Sequence, residues 1–191
     1  MSEASAKAPK GKLVVISGPS GTGKSTVCRR LVELLSNVQL SVSATTRRPR
    51  KNEKEGDDYY FLAREEFERR ILNGEFVEHA EYAGNLYGTP RKPLEDAVNR
   101  GKTVVMDIDV QGAAQVVKAF PDAITIFLAP PSTDVLMHRL RGRNTDSPEA
   151  MERRLEIARQ ELARRSEYAF TVVNDKLDEA VEQIRKIIVG T

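Results

Sequence analysis

The sequence predicts an α/β fold, in which a parallel β-sheet is covered by helices on both faces. Residues 13–16, 103–108 and 123–129 form nearly continuous apolar runs, as expected of strands that are buried on both sides. Segments with apolar residues at helical spacing lie between these runs, and this alternation is typical of a parallel sheet with crossover helices. The first run also leads directly into a glycine-rich loop at residues 18–26 and then into a predicted helix.

That loop reads GPSGTGKST and fits the phosphate-binding pattern G-x-x-x-x-G-K-[ST]. Its glycines let successive backbone N–H groups turn inward without a Cβ clash, and the helix N-terminus adds further donors for an anion. Lys24 supplies a positive charge for the β- and γ-phosphates, and the Ser25 hydroxyl suits Mg²⁺. A chance match is the alternative, but the flanking strand and helix are the context that the motif requires. We therefore predict a P-loop NTPase-like fold with a nucleotide-phosphate site formed by Gly18, Pro19, Ser20, Gly21, Thr22, Gly23, Lys24, Ser25 and Thr26.

Residues 40–92 differ in character from the rest of the chain, because they contain short strand patterns, many polar groups and no long apolar run. We interpret them as a small domain inserted into a core made by residues 12–39 and 93–191. Residues 1–11 are rich in Ser, Ala, Lys and Pro and lack the apolar segment of a signal peptide. We expect them to form a disordered tail.

Three local patterns refine this division. Residues 40–44 alternate between apolar and polar side chains and predict a single strand, whereas residues 84–88 are rich in turn-forming types. Residues 141–146 form a charged loop between two predicted helices. We expect a lid at about residues 139–150, which together with the insert closes over bound nucleotides and keeps water away from the reaction.

The composition favours small-molecule partners. The chain has 191 residues, of which 30 are Lys or Arg and 28 are Asp or Glu, so its net charge of +2 is weak evidence for nucleic-acid binding. No segment is apolar for long enough to span a membrane. Cys28 is the single cysteine, which excludes a disulfide framework and indicates a reducing, cytoplasmic environment. The oligomeric state is left open.

Several motifs in order resemble the guanylate kinase family, and the resemblance covers the chain from about residue 12 to its end. The motifs are GPSGTGKST at 18–26, SVSATTRRPR at 41–50, GDDYYF at 56–61, EFVEHAEYAGNLYGT at 75–89, DIDVQG at 107–112 and RLRGRNTDSPEAMERRL at 139–155. The resemblance implies an enzyme that transfers the γ-phosphate of ATP to GMP, giving ADP and GDP, with Mg²⁺ as cofactor.

The resemblance also implies a GMP site within and beside the insert. The implied contacts of the GMP phosphate are Arg47, Arg50, Tyr59 and Tyr87, and planar Arg donors suit a dianion. The implied contacts of guanine are Glu78 and Asp107 on the N1–H and N2–H₂ donors, with Ser43 and Thr89 on O6. From the residues alone, other readings stay open: a solvated basic loop with core tyrosines, a surface acid at position 78 and a metal-binding acid at position 107.

Catalysis of this kind requires no general base, because the attacking phosphate oxygen of GMP is already an anion. The protein must align the two nucleotides and neutralise the charge that spreads over the transferred group. The residues that match the family's charge-neutralising positions are Lys24, Arg47, Arg139, Arg143 and Arg154, while Asn174 matches a position near the ATP base and Asp109 is a candidate for the Mg²⁺ shell through water. By contrast, Arg141, Arg153 and Arg159 are expected to be solvated.

Two other functions remain compatible with the sequence. The chain could phosphorylate a different nucleoside monophosphate or a small alcohol, because a phosphate loop alone does not specify a reaction. It could also be a non-catalytic guanylate-kinase-like module, of the kind that binds phosphorylated peptides in scaffold proteins. Such modules typically lose residues of the phosphate loop, whereas Lys24 and Ser25 are present here.

Overall fold

The computed structural model describes residues 11–82, 84–141 and 148–191. Nine strands lie within these ranges: β1 Leu13–Ser17, β2 Val38–Leu40, β3 Ser43–Thr45, β4 Tyr59–Phe61, β5 Phe76–Tyr82, β6 Asn85–Pro90, β7 Thr103–Asp107, β8 Ile124–Ala129 and β9 Phe170–Val173. The helices in the same ranges are α1 Lys24–Leu34, α2 Arg64–Leu72, α3 Arg91–Asn99, α4 Val110–Ala119, α5 Thr133–Arg141, α6 Pro148–Ala163 and α7 Leu177–Gly190, with a 3₁₀ turn at Arg164–Glu167. None of the helices in the described part of the chain has the length and hydrophobicity needed to cross a bilayer.

A five-stranded parallel sheet forms the centre of the fold, with the strand order β2-β7-β1-β8-β9. All five residues of β1 are buried, as expected for its central place. Val14 and Ile16 pack on one face with Val27 of α1, and Leu13 and Val15 face the opposite side because side chains alternate along a strand. The predicted α/β class is therefore confirmed.

Helices cover both faces of this sheet. On one face, α1 and α7 contribute Leu31 and Ile184 to the core. On the other face, α3 and α4 contribute Leu94 and Val116, which pack with Met106 of β7. The burial of every one of these side chains explains why the strand sequences are apolar without alternation.

A second, four-stranded sheet comes from residues 43–90, with the order β4-β3-β6-β5. Its strands β3 and β4 are parallel, and the pairs β3–β6 and β5–β6 are antiparallel. A small core lies beneath it, where the rings of Phe67 and Phe76 stack with centroids 4.3 Å apart. This sheet lies in the stretch predicted to be an insert, while the domain boundaries at residues 40 and 92 stay a prediction.

Two sequence-based expectations for this region are wrong. The single strand expected at residues 40–44 is instead two strands, since β2 ends at Leu40 in the parallel sheet and β3 begins at Ser43 in the second sheet. The turn expected at residues 84–88 is largely strand, because β6 begins at Asn85 and pairs with β5 and β3. In both places the pairing partner, rather than the local residue types, decides the structure.

Candidate active site

The phosphate loop is held in its turn by contacts with the sheet. Gly18 has φ 139°, and a Cβ at this position would lie 2.4 Å from the backbone oxygen of Leu128 in β8. Only glycine fits there. Gly23, with φ 91°, precedes α1 directly. The Lys24 ammonium donates to the Gly18 oxygen at 2.7 Å and to the Pro19 oxygen at 3.2 Å, so the lysine side chain lies along the loop.

The far side of the loop is supported by Asn174, which follows β9. Its side-chain amide donates to the Thr22 oxygen at 2.7 Å, and the residue is buried. The Thr22 hydroxyl in turn donates to the Pro19 oxygen at 2.9 Å. Arg139 of α5 donates to the Asn174 backbone oxygen at 3.2 Å. The structure thus places the Asn174 side chain against the loop, and Arg139 contacts the backbone of Asn174.

Ser25 and Asp107 meet beside the loop. Strand β7 is the neighbour of β1, and its last residue, Asp107, lies in register with Ile16. The Ser25 hydroxyl, in the first turn of α1, donates to Asp107 Oδ2 at 2.5 Å. A hydroxyl and a carboxylate next to a phosphate cradle are hard oxygen ligands of the kind that Mg²⁺ prefers.

Glu78 lies in a buried polar pair within the second sheet. It faces Thr89 across the β5–β6 ladder, and the Thr89 hydroxyl donates to Glu78 Oε1 at 2.7 Å. Only 7% of Glu78 is exposed. The pKa of the Glu78 carboxyl is raised to about 7, mainly by burial and also by the nearby Asp109 carboxylate, against the lowering effect of the hydrogen bonds from Thr89. Asp109 itself caps α4 by accepting from the backbone N–H groups of Gln111 and Gly112 at 2.9 and 2.8 Å.

The arginine loop contains a partner that the sequence analysis missed. Arg47 Nη2 donates to both carboxylate oxygens of Glu53, at 2.8 and 3.0 Å, and the Arg47 guanidinium lies 5.5 Å from the ring centroid of Tyr59. Glu53 also accepts from the Arg50 backbone N–H at 2.8 Å, and the Arg47 hydrogen bond holds the pKa of Glu53 below its ordinary value. Tyr59 packs edge-on against Tyr87 at 6.2 Å.

Two cavities meet at a shared wall. The larger, of about 770 Å³, runs over the phosphate loop and includes Lys24, Ser25 and Arg154 in its lining. The smaller, of about 220 Å³, is lined by Ser43, Glu78, Tyr87 and neighbouring residues. The lining residues common to both are Tyr59, Ala80, Tyr82, Asp107 and Asp109. Asp107 at the end of β7 and Asp109 at the start of α4 therefore lie between the loop and the pocket that contains Glu78.

The α6 helix adds another residue that the sequence analysis did not single out. Glu161 lines the larger cavity, is partly buried, and accepts a hydrogen bond from the Ser20 backbone N–H near Lys24. Burial raises the pKa of its carboxyl. No local motif marks Glu161, and only the packing of α6 over the loop reveals it. Of the predicted lid arginines, Arg154 lies in the same cavity, whereas Arg143 lies outside the described residues.

Comparison with known proteins gives a consistent result. The family model described as Guanylate kinase matches residues 10–190. The chain belongs to the guanylate kinase family. The guanylate kinase of Synechocystis sp. is 50% identical over 179 residues, which cover 94% of each chain. That of Lactococcus lactis is 49% identical over 94% of this chain and 87% of its own length.

A solved structure extends the likeness to three dimensions. The crystal structure of guanylate kinase from Anaplasma phagocytophilum aligns with a TM-score of 0.76 and 39% identity, covering 95% of this chain and 86% of that one. The range that matches the guanylate kinase family, residues 10–190, contains the phosphate loop, the Ser25–Asp107 pair, the Glu78–Thr89 pair and the Arg47–Glu53 pair. The family assignment and the site geometry therefore concern the same part of the molecule.

Proposed function

We propose that the chain transfers the γ-phosphate of ATP to GMP, giving ADP and GDP, and that each cavity receives one nucleotide. The observation that carries this proposal is the shared wall of Tyr59, Asp107 and Asp109 between the phosphate-loop cavity and the pocket that contains Glu78. Two nucleotides on either side of such a wall bring their phosphates together. Their alignment supplies much of the rate enhancement in reactions of this type.

ATP binds on the side of the phosphate loop. The loop N–H groups and the N-terminus of α1 hold the β- and γ-phosphates, and Lys24 moves from the Gly18 and Pro19 oxygens onto the γ-phosphate. Arg139 and Asn174 act behind the loop, by holding its backbone in shape. A direct contact of Asn174 with the adenine base, as the family resemblance implies, remains a prediction.

Mg²⁺ accompanies the ATP phosphates, and the donor set beside the loop fits it. Ser25 and Asp107, whose side-chain oxygens are in contact at 2.5 Å, would supply two oxygen ligands. Among the described residues, no group of three or more His, Cys, Asp or Glu side chains could hold a metal ion. Mg²⁺ that arrives with nucleotide phosphates needs only one or two protein oxygens and keeps several waters. When bound, it neutralises phosphate charge and orients the transferred group.

The geometry supports exchanging the roles that the sequence analysis expected for Asp107 and Asp109. The sequence analysis assigned Asp107 to guanine and Asp109 to the Mg²⁺ shell. Asp107, however, contacts the Ser25 hydroxyl, whereas Asp109 lies close enough to Glu78 to raise its pKa. We assign Asp107 to the metal side and Asp109, with Glu78, to the guanine N1–H and N2–H₂ donors. Ser43 and Thr89 remain the candidates for guanine O6.

The GMP phosphate binds to the arginine and tyrosine cluster. Arg47, Arg50, Tyr59 and Tyr87 are the proposed donors, and Glu53 orients Arg47 through an ion pair in which Nη2 contacts both carboxylate oxygens. This ion pair also explains how a guanidinium can be held in place against Tyr59. In the reaction, Arg154 and Arg143 add positive charge from the lid side as charge spreads over the transferred phosphoryl group.

An acceptor panel tests the function. With ATP and Mg²⁺ fixed, phosphorylation rates are measured for GMP, AMP, UMP and CMP. We expect GMP to exceed AMP by about 10⁴-fold or more, because a site built for paired donors leaves its own polar groups unpaired with the wrong base. If AMP matches GMP, the guanine assignment is wrong. If no acceptor is phosphorylated and neither ATP nor GMP raises the melting temperature, the chain is a binding module instead.

A cytoplasmic location forms part of the same proposal. ATP and GMP are cytoplasmic metabolites, and Cys28 of α1 is buried in the core as an unpaired thiol. Burial raises the pKa of this thiol far above its ordinary value, so it packs as a small apolar side chain. Fractionation of cells that express the chain tests the location.

A further inference from the structure

Strand β5, which carries Glu78, is the edge strand of the second sheet. Its outer edge faces α4 of the core. There, the His79 backbone N–H donates to Gln115 Oε1 at 3.1 Å, and Gln115 Nε2 donates back to the His79 oxygen at 3.0 Å. The Gln115 amide thus satisfies the same pair of backbone groups that a neighbouring strand would satisfy. A single side chain of the core takes the place of the missing strand.

The contact between Gln115 and His79 requires one orientation of the Gln115 side-chain amide. The amide must present its oxygen to the His79 N–H and its NH₂ group to the His79 oxygen, so a flipped amide would break both hydrogen bonds. Gln115 is partly buried between α4 and β5. The contact therefore fixes the distance and the register of β5 relative to α4 at one defined residue.

A second contact of α4 reaches the neighbouring residue of the strand. A Cβ built on Gly112 would lie 3.0 Å from Glu78 Oε2 and 3.6 Å from Asp109 Oδ1. Gly112 and Gln115 are separated by three positions on a helix and lie on the same face. The face of α4 that meets β5 thus touches the Glu78 carboxylate at one turn and the His79 backbone close to the next.

The same helix also fixes Asp109, whose side chain caps α4 through the backbone N–H groups of Gln111 and Gly112. Both carboxylates of the proposed guanine site are therefore positioned by the same helix, α4. Asp109 is held by the helix N-terminus, and Glu78 is held by the close approach of Gly112 and by the His79–Gln115 pair.

We propose that Gln115 is a positioning residue for guanine recognition, because it pins β5 to α4 and thereby sets the spacing between Glu78 and Asp109. The inference rests on the proposed role of these two acids. A carboxylate pair at the right spacing meets the N1–H and N2–H₂ donors of guanine together. When the spacing is relaxed, the 2-amino group loses its acceptor first, so selectivity falls before catalysis does.

The test compares GMP with IMP, the nucleotide that lacks the 2-amino group. In Gln115→Met the side chain keeps a similar length and helix propensity but makes neither hydrogen bond. We expect the ratio of kcat/KM for GMP to that for IMP to fall about fivefold, with KM for ATP unchanged within about twofold. Gly112→Ala, whose methyl group would press on Glu78, should reduce the same ratio.

Val117→Met is the matched control, since Val117 is an exposed residue on the same helix, about 200° around the axis from Gln115. It should leave the ratio unchanged. Glu78→Gln separates the two proposals. If Glu78→Gln lowers the GMP:IMP ratio while Gln115→Met does not, the positioning role is wrong and the guanine assignment stands. If Glu78→Gln leaves the ratio unchanged, the guanine assignment itself fails, and the positioning role fails with it.

Discussion

Ser25 and Asp107 are 82 positions apart in the chain, yet the hydroxyl of one donates to the carboxylate of the other at 2.5 Å. The contact follows from the pairing of β1 with β7, which sets the end of β7 beside the start of α1. It favours Asp107, and not Asp109, as the acid on the metal side of the site. This relationship gives the first prediction.

Asp107→Asn should affect the requirement for Mg²⁺, whereas Asp109→Asn should affect the binding of GMP. Asp107→Asn should raise the Mg²⁺ concentration needed for half-maximal turnover by about tenfold, because removal of a carboxylate from the metal's surroundings typically weakens its binding to that extent. Asp109→Asn should instead raise KM for GMP. Magnesium and GMP titrations of both variants provide the measurement, and the reverse pattern would restore the roles that were expected from the sequence.

Lys24→Ala should lower kcat by about 10³-fold or more while GMP affinity changes little, because the lysine acts on charge that develops during transfer. GMP binding by calorimetry and turnover by coupled assay test both parts. Arg159→Ala is the control, because this exposed arginine forms an ion pair with Glu156 on the same helix. Equal loss of GMP binding and turnover in Lys24→Ala would contradict the division between the two cavities.

Arg47→Ala should raise KM for GMP by about 10- to 100-fold with KM for ATP unchanged, since it removes a charge-assisted contact with the phosphate. Arg48→Ala provides the comparison, because the Arg48 side chain is exposed and only its backbone oxygen contacts Arg47. Glu53→Gln should resemble a mild form of Arg47→Ala, as Arg47 loses its ion-pair partner. A change confined to KM for ATP in either variant would be incompatible with the proposed GMP site.

The stability of the protein should depend on pH through Glu78. Its pKa is raised from the ordinary 4.5 to about 7 on folding, so the folded state holds the proton more tightly than the unfolded state. The stabilisation is therefore complete below about pH 4.5 and is lost as the pH rises through about 7, with a total of about 3 kcal/mol. Urea denaturation of the wild-type protein and of Glu78→Gln between pH 5 and 8 isolates this contribution. If the free energy of unfolding changes with pH in the same way in both proteins, the prediction is wrong.

GMP binding should show the opposite trend with pH. Guanine presents two N–H donors to this site. The ionised Glu78 carboxylate only accepts hydrogen bonds, whereas the protonated carboxyl would present an O–H donor of its own to guanine. Affinity for GMP should consequently increase between about pH 6 and 8, and the increase should be absent in Glu78→Gln. Calorimetric titrations with GMP alone, without ATP, separate this effect from any pH dependence of phosphoryl transfer.

Much of this fold was predictable because its signals are local. The apolar runs identify β1, β7 and β8, and the GPSGTGKST motif identifies the loop and the start of α1. The alternating stretch at residues 40–44 was misleading because its periodicity continues while the chain passes from one sheet to the other. Periodicity shows that a segment is extended, but it does not show which strand pairs with it.

The site was predictable in its residue types more than in their partners. Asp107 and Asp109 are only two positions apart, and local sequence cannot tell which acid faces Ser25 and which faces Glu78. The register of β7 and the cap of α4 decide that question. Glu53 was missed for a related reason, since an acid in a polar loop carries no pattern of its own until the fold sets it against Arg47.

Gly18 shows how the cradle acquires its shape. Its backbone approaches the Leu128 oxygen so closely that no larger residue fits. The Asn174 side chain also holds the loop, by a hydrogen bond to the Thr22 oxygen. Contacts with the rest of the folded protein thus set the conformation of the loop, and the ligand does not have to induce it. An arriving nucleotide meets a receptor that has already lost its conformational freedom, so capture on this side should be close to rigid docking with little entropic penalty from the backbone.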